Sequence, residues 1–291
     1  MNGDSILTLD GVCAGYGAGD VITDVSFSLR RGEILCIAGQ SGCGKSTLLR
    51  AIMGVFDRPE VTSGSITLDG TVLTSLPARQ RREVSVRSMG LIFQTPGAAF
   101  NPIRSYEKQF REALKGCGKY NKATFFSEAE NALSRLGLEN AGRALRSCPY
   151  EMSGGMNQRI AIALTMLMGQ SLLLADEPTS ALDAGVRRQV ADEIKLLRDE
   201  SGVSVIAVTH DLALAHYISD RIAIMLDGRI VELGKGEDVI KAPAHPYTRA
   251  LIGAAARLGG ALPEFHDCKF DCTGALHEVS DGHFVLTEGT A

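Results

Sequence analysis

Residues Gly39 to Thr47 read GQSGCGKST, preceded by the apolar run EILCIA (Glu33–Ala38) and followed by the stretch STLLRAIMGV (Ser46–Val55). The pattern G-x-x-x-x-G-K-[ST], with a strand before it and a helix after it, is that of a phosphate-binding loop. Gly39, Gly42 and Gly44 let the backbone curl so that successive N–H groups turn toward phosphate oxygens, and the helix N-terminus adds partial positive charge. Gln40, Ser41 and Cys43 complete the loop, and Thr47 belongs to the first turn of the helix. Lys45 is expected to reach the β- and γ-phosphates and Ser46 to hold Mg²⁺. The implied ligand is a nucleoside triphosphate with Mg²⁺.

The chain has 291 residues, 45% of them hydrophobic, and a formal net charge of −4. That length supports one large domain or two small ones, and the composition is that of a globular protein. A slightly acidic chain lacks the basic footprint of a nucleic-acid binder. The N-terminus, MNGDSILTLDG, has no charged region followed by an apolar core, so no export signal is expected. The most apolar segment, Ile160 to Ala175, is interrupted by GQS and is too short to span a bilayer. A reducing cytosolic setting then makes isolated cysteines such as Cys13 and Cys36 buried thiols.

Working outward, Val25, Phe27 and Leu29 alternate ahead of the buried run Ile34 to Ala38, and SGSITLDG forms a short strand closed at Asp69-Gly70. From about 97 to 170 the pattern is helical, as in EKQFREALKG and FFSEAENALSRLGL. A helix over Met156–Met168 and a strand over Leu172–Ala175 follow. The next helix carries Val186, Val190, Ile194 and Leu197 on one face. A strand over Val203–Val208 precedes a hairpin, RIAIMLDGRIVELG, turning at Asp227-Gly228. Strands alternating with helices indicate an α/β fold: a P-loop core with a mainly parallel sheet, an antiparallel β subdomain and an inserted helical subdomain. A Pro-, Gly- and Ala-rich tail is expected beyond about residue 241, with a short C-terminal extension.

Two further stretches carry chemistry. SLLLADEPTSALD ends a strand at Asp176, a carboxylate suited to hold the magnesium, and Glu177 follows as a candidate general base for the attacking water. In YEMSGGMNQR, Ser153 is a good N-cap and Gly154-Gly155 open a helix, which makes a second anion-binding helix terminus. Two such termini in one chain suggest a nucleotide clamped between two protein surfaces.

With these motifs in this order, the sequence resembles the nucleotide-binding subunits of ABC transporters over residues from about 5 to 255. MSGGMNQR looks like their signature, LLLADEP like their Walker B strand, and SALD (Ser180–Asp183) like their D-loop. The resemblance implies an ATPase in which the loop of one subunit and Ser153, Gly154, Gly155 and Gln158 of a partner enclose ATP. It further assigns Tyr16 to the adenine, Gln94 to Mg²⁺ and to the membrane partner, and Asp183 to the D-loop. His210 takes the γ-phosphate switch, and the catalytic set is Lys45, Glu177 and His210. The implied domains are 1–255 as the nucleotide-binding domain and 256–291 as an extension.

A soluble ABC ATPase acting on nucleic acid or ribosomes is the alternative. About a hundred residues separate loop and signature, without sustained heptads, and the chain has one such domain, which favours transport. FQTPGAAFNPIRSY, YEMSGGMNQR and APAHPYTRALIGA resemble the peptide and nickel importer subfamily, the nickel type slightly favoured. That implies a peptide, nickel or chelated-metal cargo, a second and different ATPase subunit, two permeases and an external binding protein. The chain would lie peripherally on the cytoplasmic face of the cell membrane. The stretch HDCKFDCTGALHEVSDGH (His266–His283) resembles the cysteine-rich extension of peptide-importer ATPases, but Thr287 stands about where the last cysteine would be. With Cys268 and Cys272 alone, plus His266, neither an iron–sulfur cluster nor zinc is expected in this tail.

Overall fold

The structure, a computed structural model, describes residues 5–92, 99–179, 184–257, 270, 272 and 274–287, the side chains of 184–186 and 256–257 excepted. They fall into two compact units, one of Met1–Arg82 with Ser204–Ala291 and one of Glu83–Val203.

In chain order the elements begin with β1 (Ser5–Gly15), β2 (Asp20–Arg30), β3 (Ile34–Ala38), α1 (Lys45–Met53), β4 (Glu60–Leu68) and β5 (Thr71–Val72). Then come α2 (Ala78–Ser88), β6 (Met89–Ile92), α3 (Tyr106–Gly116), α4 (Phe125–Arg135), α5 (Ala141–Arg146), α6 (Gly154–Met168), β7 (Leu172–Asp176) and α7 (Ala184–Ser201). The last group is β8 (Ser204–Thr209), α8 (Leu212–Ile218), β9 (Arg221–Leu226), β10 (Arg229–Lys235), α9 (Gly236–Lys241), α10 (Pro246–Arg257), β11 (Ala275–Ser280) and β12 (His283–Thr287).

The first unit holds two sheets. One is antiparallel, in the order β2–β1–β4–β5, and its inner face buries Val25, Phe27 and Leu29 as the alternation predicts. The other is built on β3, whose five residues are all buried. A strand covered on both faces has no polar positions, which is why ILCIA shows no alternation. β3 pairs in parallel with β8, Ile34↔Val205 through Ala38↔Thr209, and with β9, Leu35↔Arg221 through Ala38↔Ile224. β9 turns into antiparallel β10 through Asp227 and Gly228, with φ of 44° and 81°. Positive φ at both central residues is what a two-residue hairpin of this twist needs.

Beyond residue 241, described residues join both the core and the sheet. α10 packs Tyr247 and Leu251 at 0% exposure, and β12 extends the sheet by pairing with β10 at Glu232↔Val285 and Leu233↔Phe284. The order of strands in this unit is β11–β12–β10–β9–β3–β8. The β11–β12 hairpin closes at Ser280↔His283, around Asp281-Gly282.

The second unit pairs β6 and β7 in parallel, Met89↔Leu172 through Ile92↔Ala175, and is otherwise helical. Its core gathers Phe100, Tyr106 and Phe110, with the Phe100 and Tyr106 rings edge-on at 5.0 Å. α7 buries Val190, Ile194 and Leu197 as expected, while the side chain of Val186 lies outside the described residues. Among the described residues no helix is long and apolar enough to cross a membrane.

Candidate nucleotide site

The loop between β3 and α1 is where the sequence pattern placed it. Gly42 and Gly44 have φ of 84° and 105°, a region that L side chains rarely adopt. Nothing lies within 4 Å of a Cβ placed on Gly42, which leaves an open cradle, whereas a Cβ on Gly39 would meet the Met225 carbonyl oxygen at 2.3 Å. Ser41 and Gly42 are exposed, and Cys43, Gly44 and Lys45 are buried behind them. Burial pushes the Cys43 thiol up, against the pull of the Lys45 ammonium, so it stays a neutral packing group.

Lys45 Nζ donates to the carbonyls of Gly39 and Gln40, both at 2.7 Å, which parks the ammonium inside the loop. A cation spanned by its own loop, with an open glycine edge above it, fits a phosphate anion. Thr47 Oγ1 lies 3.4 Å from the Tyr16 hydroxyl, and Tyr16 is 44% exposed. The hydroxyl contact sets Tyr16 beside the start of α1. Ser46 lies in the first turn of the same helix, half-buried. His210 follows β8, half-buried, ahead of α8, whose N-cap Asp211 accepts the Leu214 N–H at 3.0 Å.

The second unit carries the acidic and signature residues. Asp176 ends β7, and Glu177 follows with φ of 47°, left-handed backbone that costs a side-chain-bearing residue about 1–3 kcal/mol. Strain of this kind persists where the surroundings over-determine it. Ser153 caps α6, its Oγ accepting the Met156 N–H at 3.3 Å, and Ser153 and Gly154 are exposed at that helix terminus. No atom lies within 4 Å of a Cβ placed on Gly154, so the N–H end is open to an anion. Gln158 is different. Its side chain is 1% exposed and donates to the Pro178 carbonyl, bracing the turn after Glu177 from inside. Gln94 and Asp183 lie outside the described residues.

Residues 22–180 match the family described as ABC transporter. The chain belongs to the ABC transporter ATPases. It is 37% identical over 244 residues to the dipeptide transport ATP-binding protein DppD of Bacillus subtilis, covering 83% of this chain and 73% of that protein. The oligopeptide transport ATP-binding protein OppD of Salmonella typhimurium is also 37% identical, over 242 residues, with 82% of this chain and 72% of that protein covered. Among solved structures, a post-hydrolysis dimer of the ATP-binding cassette MJ0796 bound to ADP and Pi is similar at a TM-score of 0.69 and 28% identity, covering 79% of this chain and 98% of that one. Residues 231–273 match a second family, described as Oligopeptide/dipeptide transporter, C-terminal region.

Several residues that shape this ABC ATPase were not singled out from its sequence. Asn157, inside the signature, is buried and donates to the carbonyls of Pro149, Met152 and Ser153 at 3.1–3.2 Å while accepting from the buried Tyr106 hydroxyl. It ties the turn that presents Ser153. Gly228 donates its N–H to the Cys43 carbonyl at 3.0 Å and so props the phosphate loop from the β9–β10 hairpin. The dipeptide Asp227-Gly228 was legible as a turn, but nothing local says what it supports. In the C-terminal stretch, His283 is 4% exposed, with Nε2 at 2.7 Å from Glu232, whereas His277 is exposed. His266 and Cys268 lie outside the described residues.

Proposed function

We propose that this chain is the ATP-hydrolysing subunit of an importer for peptides or for nickel or another chelated metal. The observation that carries the reading is the match of residues 231–273 to a C-terminal region named for oligopeptide and dipeptide transporters, in a chain that also carries the ATPase family match. The named relatives support a peptide cargo most directly. Residues 1–255 form the nucleotide-binding domain, with its helical part at about 97–170, and 256–291 an extension attached through the β10–β12 pairing.

In this reading ATP is the substrate. Tyr16 stacks on the adenine, the N–H groups of Gly39–Thr47 and the Lys45 ammonium bind the phosphates, and Glu177 takes a proton from the attacking water. His210 contacts the γ-phosphate, and Ser153, Gly154 and Gly155 of one subunit close on the nucleotide of the other, with Gln158 bracing the Pro178 turn from behind. Ser46, Gln94 and Asp176 would supply oxygen donors for a hard cation, and Mg²⁺ bound to them would neutralise phosphate charge. Loss of the γ-phosphate removes contacts that hold the closed dimer, which reopens. Gln94 and the segment after it pass that motion to two permease subunits. A second, different ATPase subunit sits beside this chain on the cytoplasmic face of the membrane, and a binding protein on the external side completes the assembly.

The test is co-purification with the candidate permeases, reconstitution in vesicles, and ATP turnover with and without peptide or nickel plus binding protein. Stimulated turnover with uptake is expected, and Glu177→Gln should lower turnover by about 10²-fold or more while ATP still binds. Unchanged turnover in Glu177→Gln would remove the base assignment, and no stimulation by either cargo would remove the importer reading.

A further inference from the structure

A chain of polar contacts runs from the C-terminal hairpin to the phosphate loop, all within the first unit. Glu232 on β10 is 0% exposed, and its carboxylate accepts the N–H groups of Ala244 and His245, each at 2.9 Å, and His283 Nε2 at 2.7 Å. His245 Nδ1 in turn accepts the Tyr247 N–H at 3.2 Å. The turn that opens α10 is thereby clipped to the sheet. Tyr247 is fully buried, its ring edge-on to Phe270 at 5.2 Å, and its hydroxyl oxygen accepts the N–H of Gln40 at 3.4 Å. Burial holds that hydroxyl far above the usual tyrosine range, so it brings no negative charge toward a phosphate site.

The Gly39–Gln40 peptide unit is therefore gripped from both sides, by Lys45 on the Gly39 carbonyl and by Tyr247 on the Gln40 N–H. The two grips differ in kind. Lys45 is a flexible cation that leaves the loop carbonyls for phosphate oxygens when a nucleotide arrives. Tyr247 is a ring locked in the core and stays. An anchor that outlasts the departure of Lys45 keeps this peptide from turning while the other loop N–H groups engage the anion.

We propose that Tyr247 is a positioning residue of the phosphate loop, and that the Glu232–His283 pair holds it in register, so that the C-terminal hairpin sets nucleotide affinity. The proposal rests on Gly39–Thr47 being the ATP site. It gives α10 and the β11–β12 hairpin a function that does not require a metal.

Tyr247→Phe removes the hydroxyl and keeps the ring. The experiment measures binding of a fluorescent ATP analogue to the full chain, and KM and kcat for ATP in the assembled transporter. One hydrogen bond's net worth predicts a rise in Kd and KM of about two- to tenfold. kcat should stay unchanged, because uniform binding alone is lost, and the melting temperature should fall by only about 1–3 °C, the share of one hydrogen bond. His283→Ala should shift Kd in the same direction by less. Phe270→Leu, which loosens the packing and keeps the hydroxyl, should lower the melting temperature without the affinity shift. Wild-type affinity in Tyr247→Phe, a kcat loss matching the KM rise, or an equal affinity shift in Phe270→Leu would each overturn the role. Lys45→Ala separates the two readings: if it binds the analogue as wild type does, the ATP-site assignment itself fails.

Discussion

Replacing Glu232 by alanine tests whether the C-terminal hairpin is part of the folded core. The carboxylate has no solvent exposure and meets three donors, the N–H groups of Ala244 and His245 at 2.9 Å and His283 Nε2 at 2.7 Å. The substitution strands all three. A buried polar group without a partner costs about 1–3 kcal/mol, so three stranded donors set an upper bound of about 3–9 kcal/mol. Some relaxation lets the backbone donors reach water, so the expected loss is about 3–5 kcal/mol rather than the full sum. At roughly 2 °C per kcal/mol for a chain of this size, the melting temperature should fall by about 6–10 °C. His283→Ala leaves the carboxylate two of its three donors and should cost about 1.5–3 kcal/mol. Because both variants break the same bond, the double variant should fall short of the sum by about 0.5–3 kcal/mol. Urea unfolding followed by circular dichroism measures all three. A loss below about 1 kcal/mol for Glu232→Ala, or a strictly additive double variant, would refute the latch.

Two other outcomes follow from the geometry. Arg159 on the signature helix lies 2.7 Å from Glu193 on α7, and burial, opposed by Arg159, pushes the Glu193 carboxyl from 4.5 up to about 7. Between those values the native state binds more protons than the unfolded one. The contribution of this group to stability therefore falls as pH rises through that window and is level above it. Glu193→Gln should flatten that part of a urea-midpoint profile, and an unchanged slope would count against the assignment. Gly228→Ala would place a Cβ 2.2 Å from the Val21 carbonyl oxygen at a φ of 81°. It should cost about 1–3 kcal/mol or more and weaken ATP binding, since Gly228 props Cys43. Gly70→Ala has a similar φ of 75° with nothing within 4 Å, so it isolates the clash; equal effects of the two on stability and ATP binding would refute the propping role.

Much of the architecture was legible because its signals are local. ILCIA, the glycine loop and STLLRAIM lie next to one another, so strand, loop and helix follow from neighbouring residues. The turn at Asp227-Gly228 declares its own φ requirement. The hairpin inside the C-terminal extension carries a local signal of its own in Asp281-Gly282, but the strand before it does not. β11 is almost wholly exposed, so it lacks the apolar alternation that marks a half-buried strand. Gln158 is assigned to the signature by the resemblance alone, which carries no burial signal, and its side chain is 1% exposed.

What the sequence determined alone is the chemistry: a phosphate loop with its lysine, an acidic strand end, a serine-capped helix and their order along the chain. Each is encoded within about ten residues, where bond geometry and side-chain type suffice. Only the tertiary structure decided what holds the loop. Gln40 and Tyr247 are 207 positions apart, Glu232 and His283 51 apart. A bulge in β10 between Ile230 and Glu232 changes the register just before that carboxylate. Such contacts arise from how strands pair and helices pack, and no spacing in the sequence announces them. The physical reason is that a buried donor or acceptor must find a partner wherever the fold brings one within reach, however far along the chain it lies.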